Sequence, residues 1–263
     1  MVQDLAINLV ASVLAAAAAW ILQRVLSLRR LARMRAFFGL QHGAPCLLVV
    51  GRHASSPREH SVHRDDVAAL AELAALAKEC GARADVVTAA EAPVGLGKVT
   101  EFCVGGEGNN PRTAVHLRAL LPGVTGWRWE ETRAKLTFAV GGERFDRDPG
   151  KDEYAIVARV GAPSRPVFVI MGQIAICNLA AARFLATRHR QLYRRYGADR
   201  PFCLVLRVVE GKTYGPDLVE EVADVTEAAL GPRATPVPAP APRRALWPGR
   251  TAGRRPKDEA PTA

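Results

Sequence analysis

The residues best suited to chemistry form one glycine-rich run, Gly105-Gly106-Glu107-Gly108-Asn109-Asn110-Pro111-Arg112-Thr113. Glycines let the backbone approach a ligand closely. An Asn before a proline-initiated helix leaves first-turn amides facing an anion. Arg112 and Thr113 are placed to contact the same group. The run departs from GxGxxG and carries no Walker lysine, so it names no nucleotide family. A glycine turn with an ordinary Asn cap accounts for it as well as a ligand does.

A second polar loop runs from Arg52 to Asp66 and holds His53, Ser55, His60 and His63. Its histidines raise a metal, but no acidic or cysteine ligand stands at suitable spacing, and Asp65 and Asp66 suit helix capping. A solvated loop is the plain reading. Contact of Arg52 and Ser55 with a phosphate or carboxylate is the functional one. His53, two residues past an expected strand end, is the candidate for proton transfer. A third loop, Gly172-Gln173, leads into a helix carrying Cys177 and Asn178. Gln173 suits reading a base, sugar or amide, and Asn178 is either a ligand contact or a buried hydrogen-bonding group. Cys177, among Ile174, Ile176 and Leu179, reads as an inert buried thiol. No Ser-His-Asp order, GxSxG elbow or paired-carboxylate motif is present, and nothing points to a resident cofactor or metal.

These loops need elements to hold them. Pro45–Gly51, Ala84–Thr88, Val99–Val104, Pro166–Met171 and Pro201–Val209 read as short, largely apolar strands covered on both faces. Helices are expected from Asp65 or Asp66 to Cys80 with Val67, Leu70 and Leu73 inward, from Pro111 to Pro122, from Gly172 to Tyr196, and from Pro216 to Leu230. Trp127–Glu130, Lys135–Val140, Glu143–Phe145 and Glu153–Val160 alternate like an antiparallel insertion or sheet edge. Strands alternating with helices predict an α/β domain over residues 37–231, a Rossmann-like three-layer sandwich with a mostly parallel sheet. All three loops leave strands at the carboxyl edge, where ligands bind in such sheets.

Charge places the domain. The chain carries 36 basic and 26 acidic residues, but the excess lies in residues 1–36 and 232–263. The near-neutral middle argues against a nucleic-acid binder, whose excess should form a stripe on the folded face. Residues 232–263, with eight prolines and few large apolar side chains, read as a disordered tail suited to recruiting a protein partner. The basic residues Arg183, Arg188, Arg190, Arg194 and Arg195 on the late half of one helix are accounted for by its dipole. The five cysteines show no CxxC spacing, and three fall in apolar runs as small hydrophobes.

Leu5–Leu22 is free of charge and is followed by Arg24, Arg29, Arg30, Arg33 and Arg35. Its length approaches the roughly 20 residues that cross a bilayer. The arginines predict an amino terminus outside and the domain inside, against an anionic lipid surface. A cleaved signal peptide would carry its basic segment first; a buried helix is the other alternative. The expectation is a single-pass protein of the cell membrane, with a cytosolic domain that binds a nucleotide or sugar phosphate in a sensing or regulatory role. The rivals are a nucleotide hydrolase or glycosidase with Glu107 as nucleophile or base and His53 as acid/base, and a non-catalytic membrane scaffold.

Overall fold

The computed structural model describes residues 2–53, 55–56, 58, 61–93, 95, 97–130 and 135–232; the side chains at 2, 4–11, 13, 127–130 and 135–136 also fall outside it. His60 and the expected tail beyond Pro232 therefore lie outside the described residues.

The apolar runs form strands β1 (Pro45–Val50), β2 (Arg83–Thr88), β3 (Thr100–Val104), β7 (Asp152–Ala162), β8 (Arg165–Gly172), β9 (Phe202–Val209) and β10 (Val219–Asp224), and helices alternate with several of them. They make one seven-stranded sheet in the order β10-β9-β7-β8-β3-β1-β2. Strands β1, β2, β3 and β8 pair in parallel, and β7 turns against β8 and β9. With β10 also reversed, five of the seven strands share one direction. A separate three-stranded sheet is made of β4 (Val124–Glu130), β5 (Lys135–Val140) and β6 (Glu143–Asp146).

Period-two alternation divides the main sheet between two cores. Leu48, Phe102, Phe168, Ile170 and Leu204 face helices α1 (Val2–Phe38), α2 (Arg64–Glu79) and α4 (Ala175–Tyr196). Ile156, Val167, Val169 and Val205 face α3 (Pro111–Leu120), the small sheet and the short α6 (Thr226–Leu230). The mixed α/β expectation therefore holds, with three corrections. Glu153–Val160 belongs to β7 in the middle of the main sheet and not to the insertion. The expected helix from Pro216 is instead a one-turn α5 (Gly211–Tyr214), strand β10 and α6. Helix α2 is capped by His63, whose Nδ1 accepts the Asp65 amide, while Asp66 is buried and Val67 is exposed.

Helix α1 is the unusual element. At 1.5 Å per residue its 37 residues extend about 55 Å, and only its last turns enter the core. Phe37 and Phe38 are completely buried and pack edge to face at 4.8 Å. Phe38 also meets Phe102 and Phe168, and Phe37 stacks on Phe202. The terminal carbonyls are all used: Thr100 Oγ1 donates to Gly39 O, and the buried Arg159 guanidinium donates to Phe37 O and Gly197 O. Further out the side chains have no cover. Trp20 is 67% exposed and Leu22 60%, and Leu14, Ile21, Leu26 and Leu28 are also more than half exposed. The alternative of a helix buried in the domain does not hold for Leu14–Leu28. Among the described residues no helix is long and apolar enough to cross a membrane; the side chains of Leu5–Ala11 and Val13 lie outside those described.

Replacing Phe38 by Ala should remove a fully packed ring that the surrounding aromatics cannot replace. We expect a loss of about 3–5 kcal/mol in urea unfolding, with faster amide exchange over Met34–Phe38. An unfolding midpoint close to wild type would show that the base of α1 is only loosely seated.

Candidate functional site

The sheet order reverses at β1 and β3. Helix α2 carries the chain from β1 toward β2, and α3 with the small sheet carries it from β3 the other way, toward β7 and β8. A crevice opens at such a reversal, at the carboxyl ends of the strands. The chain closes this edge with backbone bonds: Gly51 N–H donates to Val104 O, Arg52 N–H to Asn109 O, and Gly105 N–H to Ile170 O, all at 3.0–3.1 Å. Gly105 has φ +102° and lies under the Asn109 side chain, a conformation L side chains rarely adopt.

The expected anion site at the start of α3 is filled by the chain itself. Asn110 is fully buried, and its Oδ1 accepts the Arg112 and Thr113 amides. Its Nδ2 donates to Val49 O and Val104 O, which pins β1 to β3. Arg112 turns away from the crevice and grips both oxygens of Glu101 at 2.9 and 2.5 Å. It also donates to Gly95 O and Pro93 O. Thr113 is buried too. Gln173 is occupied likewise, accepting from Tyr154 N and donating to Phe145 O. Asn178 accepts from Gly172 N at 2.6 Å and donates to Asp66 Oδ1 at 2.7 Å.

Beside these strand ends lies a different set. His53 and His63 stack with centroids 5.2 Å apart. The Nδ1 of His53 accepts the Ser55 amide, as that of His63 accepts the Asp65 amide. An amide only donates, so each neutral ring carries its proton on Nε2, and among the described residues neither Nε2–H meets an acceptor. Asp66, only 2% exposed, lies within the electrostatic reach of both rings. Burial raises its carboxyl above the ordinary 3.8, and the bond from Asn178 and the two histidines only partly offset this. The Asn178–Asp66 bond ties the first turns of α2 and α4 together. Helix α4 has no side-chain cap, and of its first-turn amides that of Cys177 bonds back to Ile174 O. Gly172 permits this close start, since a Cβ there would overlap Cys177. Cys177 is buried, with its thiol pushed up to about 12 by burial, as an inert thiol should be. Gly106, Glu107, Gly108 and Asn109 line the loop, with Glu107 half-buried; Arg52 and Ser55 are exposed beside it. The structure thus gathers Gly105–Asn109, Arg52, His53 and Ser55 on one edge and commits Asn110, Arg112, Thr113, Gln173 and Asn178 to the fold. The sequence reading left Asp66 and His63 out of the candidate site, taking Asp66 for a helix cap and His63 for part of a solvated loop. Their signal was available: Asp66 shares a helical face with Leu70, Leu73 and Ala77, the buried side of α2.

Under α3 lies a second charged group. Glu101, Cys103 and His116 each offer a potential ligand atom within 4.8 Å of one another. Both Glu101 oxygens are already taken, by Arg112 and by His116 Nε2 at 3.0 Å. The arrangement is therefore a buried ion-pair cluster. Burial would raise the Glu101 carboxyl, but its hydrogen bonds from His116 and Arg112 outweigh that and hold it below 4.5. No protein-family model and no curated protein matches the chain.

Two opposite pH signatures follow. A depressed folded pKa contributes stability above the unfolded value that is lost as pH falls through the folded one. Glu101→Gln should therefore cost about 3–5 kcal/mol at neutral pH, with the gap to wild type closing as pH drops below 4.5. An elevated folded pKa acts the other way: as pH rises from 3.8 through the folded value, ionised Asp66 weakens the fold. Asp66→Asn should be no less stable than wild type at pH 7, and its relative stability should decline on acidification. A large loss at pH 7 would make Asp66 a structural residue, not a site residue.

Proposed function

We propose that the chain is a single-pass membrane protein whose cytosolic Rossmann-like domain binds a nucleotide or another phosphorylated small molecule at the β1/β3 edge, in a sensing or regulatory role. The observation that carries this reading is the continuity of α1. One unbroken helix runs from the Leu5–Leu22 apolar segment, through exposed Trp20, Ile21 and Leu22, into a core-buried last turn. An exposed apolar helix is unfavourable in water and favourable in lipid. The arginines after Leu22 orient it with the amino terminus outside and the domain on the cytoplasmic side.

The ligand half of the proposal draws on the crevice. The side-chain-uncapped first turn of α4 and the glycine backbone at Gly106 suit a phosphate. The paired His53 and His63 Nε2–H groups suit its oxygens or neighbouring hydroxyls. Ionised Asp66 would repel an anion at contact, so it suits a hydroxyl or amine elsewhere on the ligand. The same perturbed carboxyl beside two imidazoles favours a second reading, acid/base hydrolysis of the bound compound, with Asp66 and His53 joining Glu107 as reacting groups. Recruitment of a protein partner through the proline-rich tail belongs to the proposal as well.

The test uses the full chain. It should stay in the membrane fraction after carbonate extraction, and an export-dependent reporter fused after residue 231 should be inactive. In detergent, a panel of nucleotides and sugar phosphates should include one compound that raises the unfolding temperature by several degrees at a hundred times its Kd, about 2.7 kcal/mol. Asp66→Asn and His53→Ala should each abolish that shift. Consumption of the compound would select the enzymatic reading. Extraction by carbonate, or no shift with any compound, would sink the corresponding half.

A further inference from the structure

One face of α1 is covered neither by the domain nor, along its whole length, by a bilayer. Leu14, Ala18, Ile21, Val25, Leu28 and Ala32 follow one another at alternating spacings of four and three residues. Those are the a and d positions of a heptad repeat, with Ala18, Val25 and Ala32 at a and Leu14, Ile21 and Leu28 at d. Every other heptad register meets Gln23, Arg24 or Arg29 between residues 14 and 32. Inside Leu5–Leu22 nearly all positions are apolar, so that stretch does not choose a register. The choice is made by Val25, Leu28 and Ala32, which keep the period among Arg24, Arg29, Arg30 and Arg33.

The placement of α1 on the domain is a second, independent observation. At about 100° per residue, the seam points roughly 160° away from the mean direction of the buried Met34, Phe37 and Phe38. The side turned to α4 is a different one, carrying Leu26, Arg29, Arg30 and Arg33. Ile21 and Leu28 are accordingly more than half exposed, Val25 is 37% exposed, and Ala18 and Ala32 are exposed as well. Leu28 and Ala32 stand six and ten residues beyond Leu22, about 9 and 15 Å along the helix. That is outside the hydrocarbon of a bilayer spanned by Leu5–Leu22, so lipid would cover Ile21 and stop short of Leu28. A helix with the same repeat, direction and depth covers the whole seam. A second copy of this chain is such a helix, because chains anchored in one membrane share one orientation. Small Ala alternating with large Leu and Ile is also the composition that lets two backbones pack closely, in lipid as in water.

From this geometry we propose that α1 pairs with α1 of a second copy of the chain, as a parallel left-handed coil along Leu14–Ala32. The proposal takes the common direction of the two helices from the membrane reading above. In this register Arg24 of one copy comes beside Arg29 of the other, a like-charge contact that weakens the pair and gives the register a signature of its own. The test uses the full chain in phosphatidylcholine vesicles, with single cysteines placed in turn from Gln23 to Ala32 and oxidised with copper phenanthroline. The five native cysteines are buried. Disulfide-linked dimer should peak at Val25→Cys, Leu28→Cys and Ala32→Cys and be low at Gln23→Cys and Ser27→Cys. Leu28→Ala should raise the dimer dissociation constant about ten-fold and leave the unfolding temperature of the domain unchanged, since Leu28 lies outside its core. Arg24→Glu, which turns the repulsion into an ion pair with Arg29, should lower that constant several-fold. Cross-linking that is absent or equal all round the helix overturns the seam, and an Arg24→Glu chain that dimerises less well overturns the register. A chain that resists carbonate extraction without periodic cross-linking loses the seam and keeps the anchor. A chain released by carbonate that still cross-links at the three positions keeps the seam and loses the anchor, and release without cross-linking overturns both.

Discussion

The structure depends on the seating of the last turn of α1. Phe37 and Phe38 fill the space between the main sheet and α4, and Arg159 reaches from β7 to the carbonyl ends of both α1 and α4. A buried guanidinium without a close carboxylate is costly, and burial lowers its pKa to about 10. It is tolerated because the carboxyl ends of two helices present partial negative charge at one place, and because the rings of Phe37 and Phe202 lie under it at 4.7 and 5.4 Å. The helix that leaves the domain is thereby fixed rigidly to the strands that make it.

Helix α4 extends this constraint to the crevice. Its first turn holds Gly172 N and Asp66 through Asn178, at the carboxyl edge of the sheet. Its second half packs on α1, with His189, Arg190 and Arg194 lining the groove between the two helices. Asn178 and His189 are eleven residues apart, about 16 Å of rise, on one helix without a break. The crevice and the base of α1 are thus two ends of one rigid element.

Much of the fold was legible because punctuation and burial agreed. Strands β1, β8 and β9 are largely continuous apolar runs, as strands covered on both faces should be. Pro111 and Gly81 mark the start of α3 and the end of α2 as their backbone properties require. Strand β7 was misplaced because its buried positions include Glu153 and Arg159, which alternate like an exposed edge. Glu153 Oε1 is held by Arg147 from the neighbouring turn, and Arg159 by helix carbonyls; neither partner is visible in local sequence. Strand β10 read as helix because an edge strand rich in Glu and Asp carries no period-two apolar signal of its own.

The candidate site was legible in place and less so in role. The loops at the carboxyl edge were correctly located, yet the residues that looked most like ligand contacts, Asn110 and Arg112, had nearer partners within the chain. An Asn at an N-cap with amides two and three residues ahead closes on them without entropy cost from a second molecule. An arginine with a buried carboxylate on the adjacent strand is held by two charge-assisted bonds that a solvated ligand must outcompete. The groups without a partner at this edge, among the described residues, are the Nε2 atoms of two stacked histidines and the side-chain-uncapped start of α4, beside a carboxyl kept above its ordinary pKa by burial. A polar group's partners inside the chain therefore have to be counted before it is assigned a partner outside. By that count the polar groups at this edge that the fold leaves least committed are those of Asp66 and His53, not those of the helix after the glycine loop.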